Sequence, residues 1–181
     1  MLNFTTAAPE EKQGRTLSIV RTPSPGALIA IVTCSHMVGC PTHFWHGRTL
    51  PCQPPDCPAC AEGTAWRWHG YVTCLNDKTG EHQLFEMTAQ ASEEFTTYQQ
   101  RHNTLRGCKF HATRAGGRTN GRVLIRTRPI DLKLIALPPA PDIIKCLCHL
   151  WNIATDNVEE SGTLKDAAKL SIKPEDQRIV Q

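Results

Sequence analysis

The sequence predicts a mainly β chain with some helix. Three observations carry this. Short apolar runs bounded by Gly, Pro, Asn and Asp recur between residues 17 and 130. One stretch near residue 95 changes to helical spacing. A proline-rich run of cysteines and histidines interrupts the strands at 34–65.

Residues 1–16 are polar and read as a flexible arm. "TLSIVRT" and "GALIAIVTCSH" read as two strands separated by the turn-forming "PSPG". Residues 34–65 hold five prolines, show little periodicity and read as a loop. "RWHGYVTCLN", the turn "DKTG" and "EHQLFEMT" form a predicted hairpin. Ser92, followed by Glu93 and Glu94, is the expected N-cap of a helix, with the acids near the positive end of its dipole. Phe95, Tyr98, His102 and Leu105 give that helix one buried side, and Gly107 ends it. "CKFHATRA" and "GRVLIRTRPI" are the next two strands, around the hairpin tip "GGRTN". "PPAP" is a linker, Asp142 starts the short amphipathic helix "DIIKCLCHLWNI", and the remaining residues are a polar tail. A helix between the third and fourth of five strands is the order of the OB-fold, a partly open barrel. The predicted organisation is therefore an arm at 1–16, an OB-like five-stranded barrel at 17–137 with an inserted zinc loop at 34–65, and a linker, helix and polar tail at 138–181.

Composition narrows the function. Hydrophobic residues make up 40% of the 181, enough for one modest core. No run of about 18 apolar residues is present, so no membrane partner is expected. "MLNFTTAAPEEKQGRT" lacks the basic-then-apolar pattern of a signal peptide, which points to the cytoplasm. Nine cysteines, an odd number, argue against a disulfide framework there.

Cys57 and Cys60 form a C-x-x-C knuckle, "CPAC", whose thiolates can meet one tetrahedral ion, and Cys52 is close enough in sequence to join them. The fourth ligand comes from His36, Cys40, His43 or His46, completing a structural Zn²⁺ site. A catalytic zinc is disfavoured: no histidine is followed two positions later by glutamate, and H-E-x-x-H is absent. No paired carboxylates, P-loop or nucleophile elbow is visible, so a non-enzyme is expected. Cys34, Cys74, Cys108, Cys146 and Cys148 read as small core residues.

Net charge is +3, but its distribution is uneven. Between Arg101 and Lys133 nine basic residues face one acid, Asp131. Such a block suits a polyanion. Arg67, Arg106, Lys109, Arg114, Arg122, Arg126 and Arg128 are the candidate phosphate contacts. Trp45, Trp66, Trp68, Tyr71 and Phe110 are the candidate faces for unpaired bases. On the last strand Arg122, Leu124, Arg126 and Arg128 share one parity, so that face is mostly basic.

The apolar strand leading to a histidine-containing loop, the lone Cys52, "DCPAC" and "YVTCLNDKTGEHQLFEM" together resemble the core of the single-stranded DNA-binding proteins of T4-like phages, over roughly residues 27–90. Those proteins are OB-folds with a Cys₃His zinc subdomain. The resemblance implies His43, Cys52, Cys57 and Cys60 as the ligands. It also implies single-stranded nucleic acid, most simply DNA, as partner, a place in DNA replication, and contacts to replication or recombination proteins through the C-terminal segment. The competing reading is a zinc-stabilised interaction or adaptor module of a replication or transposition assembly, with the C-terminal helix and tail as docking elements.

Overall fold

The structure is a computed structural model and describes residues 17–154. Its strands are β1 (Ile19–Val20), β2 (Ala27–Val32), β3 (Val38–Trp45), β4 (Arg48–Pro51), β5 (Trp66–Asn76), β6 (His82–Thr88), β7 (Cys108–Arg114) and β8 (Val123–Pro129). Its helices are α1 (Pro58–Ala61), α2 (Ala89–His102) and α3 (Ile143–Trp151). All eight strands belong to one mixed sheet with the main order β1-β6-β5-β2-β7-β8. The 11-residue β5 is long enough to serve two partners on one edge: β3 along residues 66–71 and β2 along residues 74–76. No described helix is long and apolar enough to cross a membrane.

The five-stranded barrel expected from the sequence is not closed. β6 pairs with β5 and, in parallel, with β1, while β8 pairs only with β7. The chain before β2 lies in this gap: Arg114 donates from Nε to the Thr22 carbonyl at 3.1 Å, and Ser24 donates to the Gly117 carbonyl at 2.8 Å. β8 instead meets α2, where Thr127 donates to Glu94 at 2.9 Å.

Both faces of the β5–β6 pair are buried. On one, Phe85, Phe95 of α2 and Phe110 of β7 pack with ring centroids 4.9–6.3 Å apart. On the other, the Tyr71 ring meets Trp151 of α3 edge-on at 5.7 Å. Ile143 and Leu147 bring α3 into the same core, so this helix is packed back on the sheet rather than set apart beyond a linker. Arg106 fixes the approach by donating to the carbonyls of Thr33, Leu137 and Pro138 at 2.6, 2.7 and 3.1 Å.

Three local expectations change. Helix α2 starts four residues before Glu93, with Thr88 as N-cap accepting from the Ala91 amide. Ser92 is buried inside the first turn and donates back to the Ala89 carbonyl at 2.7 Å. The helix ends on left-handed Asn103, φ 60°, before Gly107 is reached. The run 34–65 also contains a hairpin, β3–β4, that weak periodicity hid. Its turn is His46-Gly47 with φ 48° and 79°, the two-residue positive-φ turn that matches the twist of paired strands. The expected N-cap of α3 holds: Asp142 accepts from the Lys145 amide at 3.0 Å. The arm at 1–16 and the polar tail beyond 154 lie outside the described residues.

Candidate metal centre and adjoining cleft

The β3–β4 hairpin has two sides. His43 points to one, where it is fully buried; Thr42 and Phe44 point to the other. After β4 the chain is pinned by the Cys52 amide, which donates to the Pro41 carbonyl at 2.9 Å and keeps the cysteine at the base of the hairpin. Pro58, preset for a first helical position, then starts α1, and the single turn carries Cys60 round to face Cys57. The Ala61 and Glu62 amides close that turn on the Cys57 and Pro58 carbonyls at 3.1 Å each.

This route gathers one nitrogen and three sulfurs. The candidate ligand atoms of His43, Cys52, Cys57 and Cys60 all lie within 4.8 Å of one another. Cys52 Sγ is 3.5 Å from Cys60 Sγ, and Cys60 Sγ is 3.4 Å from His43 Nε2. A tetrahedral ion with sulfurs at ~2.3 Å and nitrogen at ~2.0 Å sets neighbouring ligands about 3.5–3.8 Å apart. The set therefore fits a metal ion. Backbone amides add to this. The Gln53 amide, with help from that of Cys60, lowers the Cys57 thiol to about 6, whereas burial and its two thiol neighbours push Cys52 up to about 12. His43 Nδ1 is buried with no hydrogen-bond partner among the described residues. All nine cysteines are free.

The three alternative ligands are elsewhere. His36 is exposed and shares a 3.0 Å hydrogen bond with Ser35. His46 is the exposed hairpin tip, its ring 4.1 Å from that of Trp45 and tilted 49° to it. Cys40 sits on β3 opposite His69, and burial followed by the charge of Glu86 pushes its thiol up to about 12.

The other side of the hairpin borders a cleft of about 400 Å³ at the gap between β6 and β8. Arg21, Phe44, Thr49, Arg67, His69 and Arg114 line much of it. Glu86 is its buried acid. Arg21 Nε donates to it at 2.5 Å and the Tyr71 hydroxyl at 3.2 Å. Arg21 also donates to Thr49 Oγ1 at 2.9 Å, tying the hairpin to the sheet. Burial lowers the pKa of His69, whose Nδ1 meets the Thr42 hydroxyl at 2.5 Å. Three guanidinium groups thus line the cleft with one carboxylate: Arg21 pairs with Glu86, Arg114 donates to the Thr22 and Gly121 carbonyls, and the Arg67 guanidinium makes no hydrogen bond or ion pair among the described residues. Phe44 offers an apolar ring that is 70% exposed.

The residues expected to contact nucleic acid divide into groups. Arg67 and Arg114 line this cleft. Lys109, Arg126 and Arg128 line a second one of about 320 Å³ on the outer side of β7–β8, and Arg122 is exposed at the start of β8. Arg106 is spent on three carbonyls and holds the chain before α3. Tyr71 and Phe110 are buried in the core, so no base can stack on them. Trp68 lies over Gly39 and Gly70, where any Cβ would collide with its indole, and it is half-buried there. Trp45 donates to Glu62 at 2.7 Å, and Trp66 is 45% exposed. Sequence reading missed Arg21, Phe44, Thr49 and His69. The signal for Phe44 was its alternation with His43 on one strand, legible only once 38–51 is read as a hairpin.

Compared with known proteins, the chain matches no family model, no curated protein and no solved structure.

Proposed function

We propose that this chain binds single-stranded nucleic acid, most simply DNA, without catalysis, on an OB-like sheet whose hairpin is stapled by a structural zinc ion. The observation that carries the reading is the cleft in which Arg21, Arg67 and Arg114 meet the exposed ring of Phe44. Single-strand binders combine cations that track the phosphates with aromatic faces for unpaired bases. The strand order supports the OB-like reading. β2 pairs with β5 and β7, β5 with β6, β7 with β8, and α2 lies between β6 and β7. A Cys₃His set is a normal structural zinc site, and thiolates prefer zinc to magnesium or calcium. Bound there, the ion would supply folding free energy to a loop that has little apolar surface of its own.

The test is binding of a single-stranded oligonucleotide and of its duplex at two salt concentrations. We expect the single strand to bind more tightly, affinity to fall with salt, and Arg67→Ala and Phe44→Ala each to weaken it while the fold is kept. Equal or tighter duplex binding would leave only nonspecific charge. No binding at low salt would end this reading. The adaptor reading would then lead. Its helix α3 is already spent on the sheet, but Leu132, Leu134 and Ile135 are 45%, 82% and 42% exposed on the loop before it. An apolar partner on that loop would be insensitive to salt.

A further inference from the structure

Resting on the reading just given, we infer that the two clefts are the ends of one track, so that a single strand entering the Phe44 cleft continues along β8 to a second set of phosphate contacts at Arg126 and Arg128. The second cleft, about 320 Å³, is lined by Ile29, Asp77, Lys109, His111, Arg126 and Arg128 among others. Strand register builds it: His111 lies opposite Arg126, and Lys109 opposite Arg128. Side chains paired in this way share a face of the sheet. The exposed side of β8 therefore runs Arg122, Leu124, Arg126, Arg128, with Leu124 45% exposed among the cations.

Asp77, the acid lining this cleft, is held by Lys109 through both carboxylate oxygens at 2.8 Å. That pair is internally neutral. The side chains of Arg126 and Arg128 make no hydrogen bond or ion pair among the described residues, so their charge remains available. β8 passes both clefts: Val123, on the face it shares with Arg114, lines the first, and Arg126 and Arg128, on the opposite face, line the second. Arg114 of the first cleft pairs with Val123 in register. At ~3.3 Å per residue, Val123 and Arg128 are about 17 Å apart along the strand. Arg122, exposed and adjacent to Val123, stands where a bound chain would pass from the gap to the outer face. A short oligonucleotide fills the first cleft alone, and only a longer one reaches Arg126 and Arg128.

The experiment compares oligothymidylates of about four and about sixteen nucleotides, the span of site sizes for one OB-type domain. Wild type, Arg67→Ala and the double variant Arg126→Ala/Arg128→Ala are titrated across a salt series. Circular dichroism checks the fold, and Arg126→Lys/Arg128→Lys serves as the charge-retaining control. We expect Arg67→Ala to weaken both lengths. The double alanine variant should leave the short oligonucleotide within about twofold of wild type and weaken the long one roughly tenfold. It should flatten the long oligonucleotide's log-affinity against log-salt slope by about 1.4, or ~0.7 per lost phosphate contact, and the lysine control should restore most of both effects. Unchanged binding of the long oligonucleotide, or equal losses at both lengths, overturns the track while the first cleft stands. Failure of wild type to bind either length overturns the track together with the reading it rests on.

Discussion

Two histidines show how burial, rather than residue type, sets a role. His43, His46 and His36 lie within ten residues of each other, yet only His43 faces the three sulfurs. His43→Ala should therefore weaken metal binding at least tenfold, while His46→Ala and His36→Ala stay within about twofold of wild type. Metal competition with a chromophoric chelator reads this directly, and a larger loss at His46 would reassign the ligand. His82 makes a different point. Burial, and next the nearby charge of Arg106, lower its pKa from 6.5, and its Nε2 is buried with no hydrogen-bond partner among the described residues. The neutral form is thus favoured in the folded state. The stability this contributes is present above pH 6.5 and is lost as pH falls below it. The NMR titration of this ring should have its midpoint below 6.5. A midpoint at or above that value would remove the argument.

At the scale of the element, the β3–β4 hairpin and the turn α1 bring together four side chains that could hold a metal ion. Within this stretch only Thr42, His43, Cys57 and Ala59 are buried, so apolar packing contributes little to its closure. Cys57→Ser and Cys60→Ser should each release one metal equivalent per chain, and a chelator should lower the melting temperature of wild type but not of these variants. Metal analysis of protein purified without chelator, its thiols intact, checks the stoichiometry; finding none would remove the staple. Helix α3 depends on the opposite physics. Leu147 is 4% exposed and belongs to the main core. Leu147→Ala should cost about 2–5 kcal/mol by denaturant unfolding, the usual loss for a buried leucine. A cost below about 1 kcal/mol would mean that α3 is only loosely seated and is free to dock elsewhere.

For the molecule as a whole, charge location matters more than net charge. A formal +3 spread evenly over 181 residues would predict little. Here the cations gather at the two clefts that β8 passes. Single-strand affinity should therefore fall linearly in log–log form with salt, and it should survive mutation of Lys109, whose charge Asp77 already offsets. Lys109→Ala is expected to stay within about twofold of wild type, measured by fluorescence anisotropy at low salt. A tenfold loss would show that the Lys109–Asp77 pair opens on binding.

Features that depend on neighbours along the chain are legible in the sequence alone. Alternation placed β2, β5, β6, β7 and β8, Asp142 capped α3, and the CPAC knuckle with Cys52 marked the three sulfurs that gather with His43. Alternation also identified the basic parity of β8, which the structure keeps as its exposed side. These features rest on periods of two or 3.6 residues and on short chelate spacings, which need no distant partner. Tertiary structure decided the rest. Arg106 and Arg122 look alike in sequence, but one satisfies three carbonyls and the other points outward. Tyr71 is buried by α3, far from it along the chain, and Phe110 by α2, a separate element. The barrel stays open because β1 occupies an edge of β6 and α2 meets β8, a choice between sheet partners that local alternation does not encode. The Phe44 cleft exists only at that opening, where residues 21, 44, 67 and 114 converge across the fold.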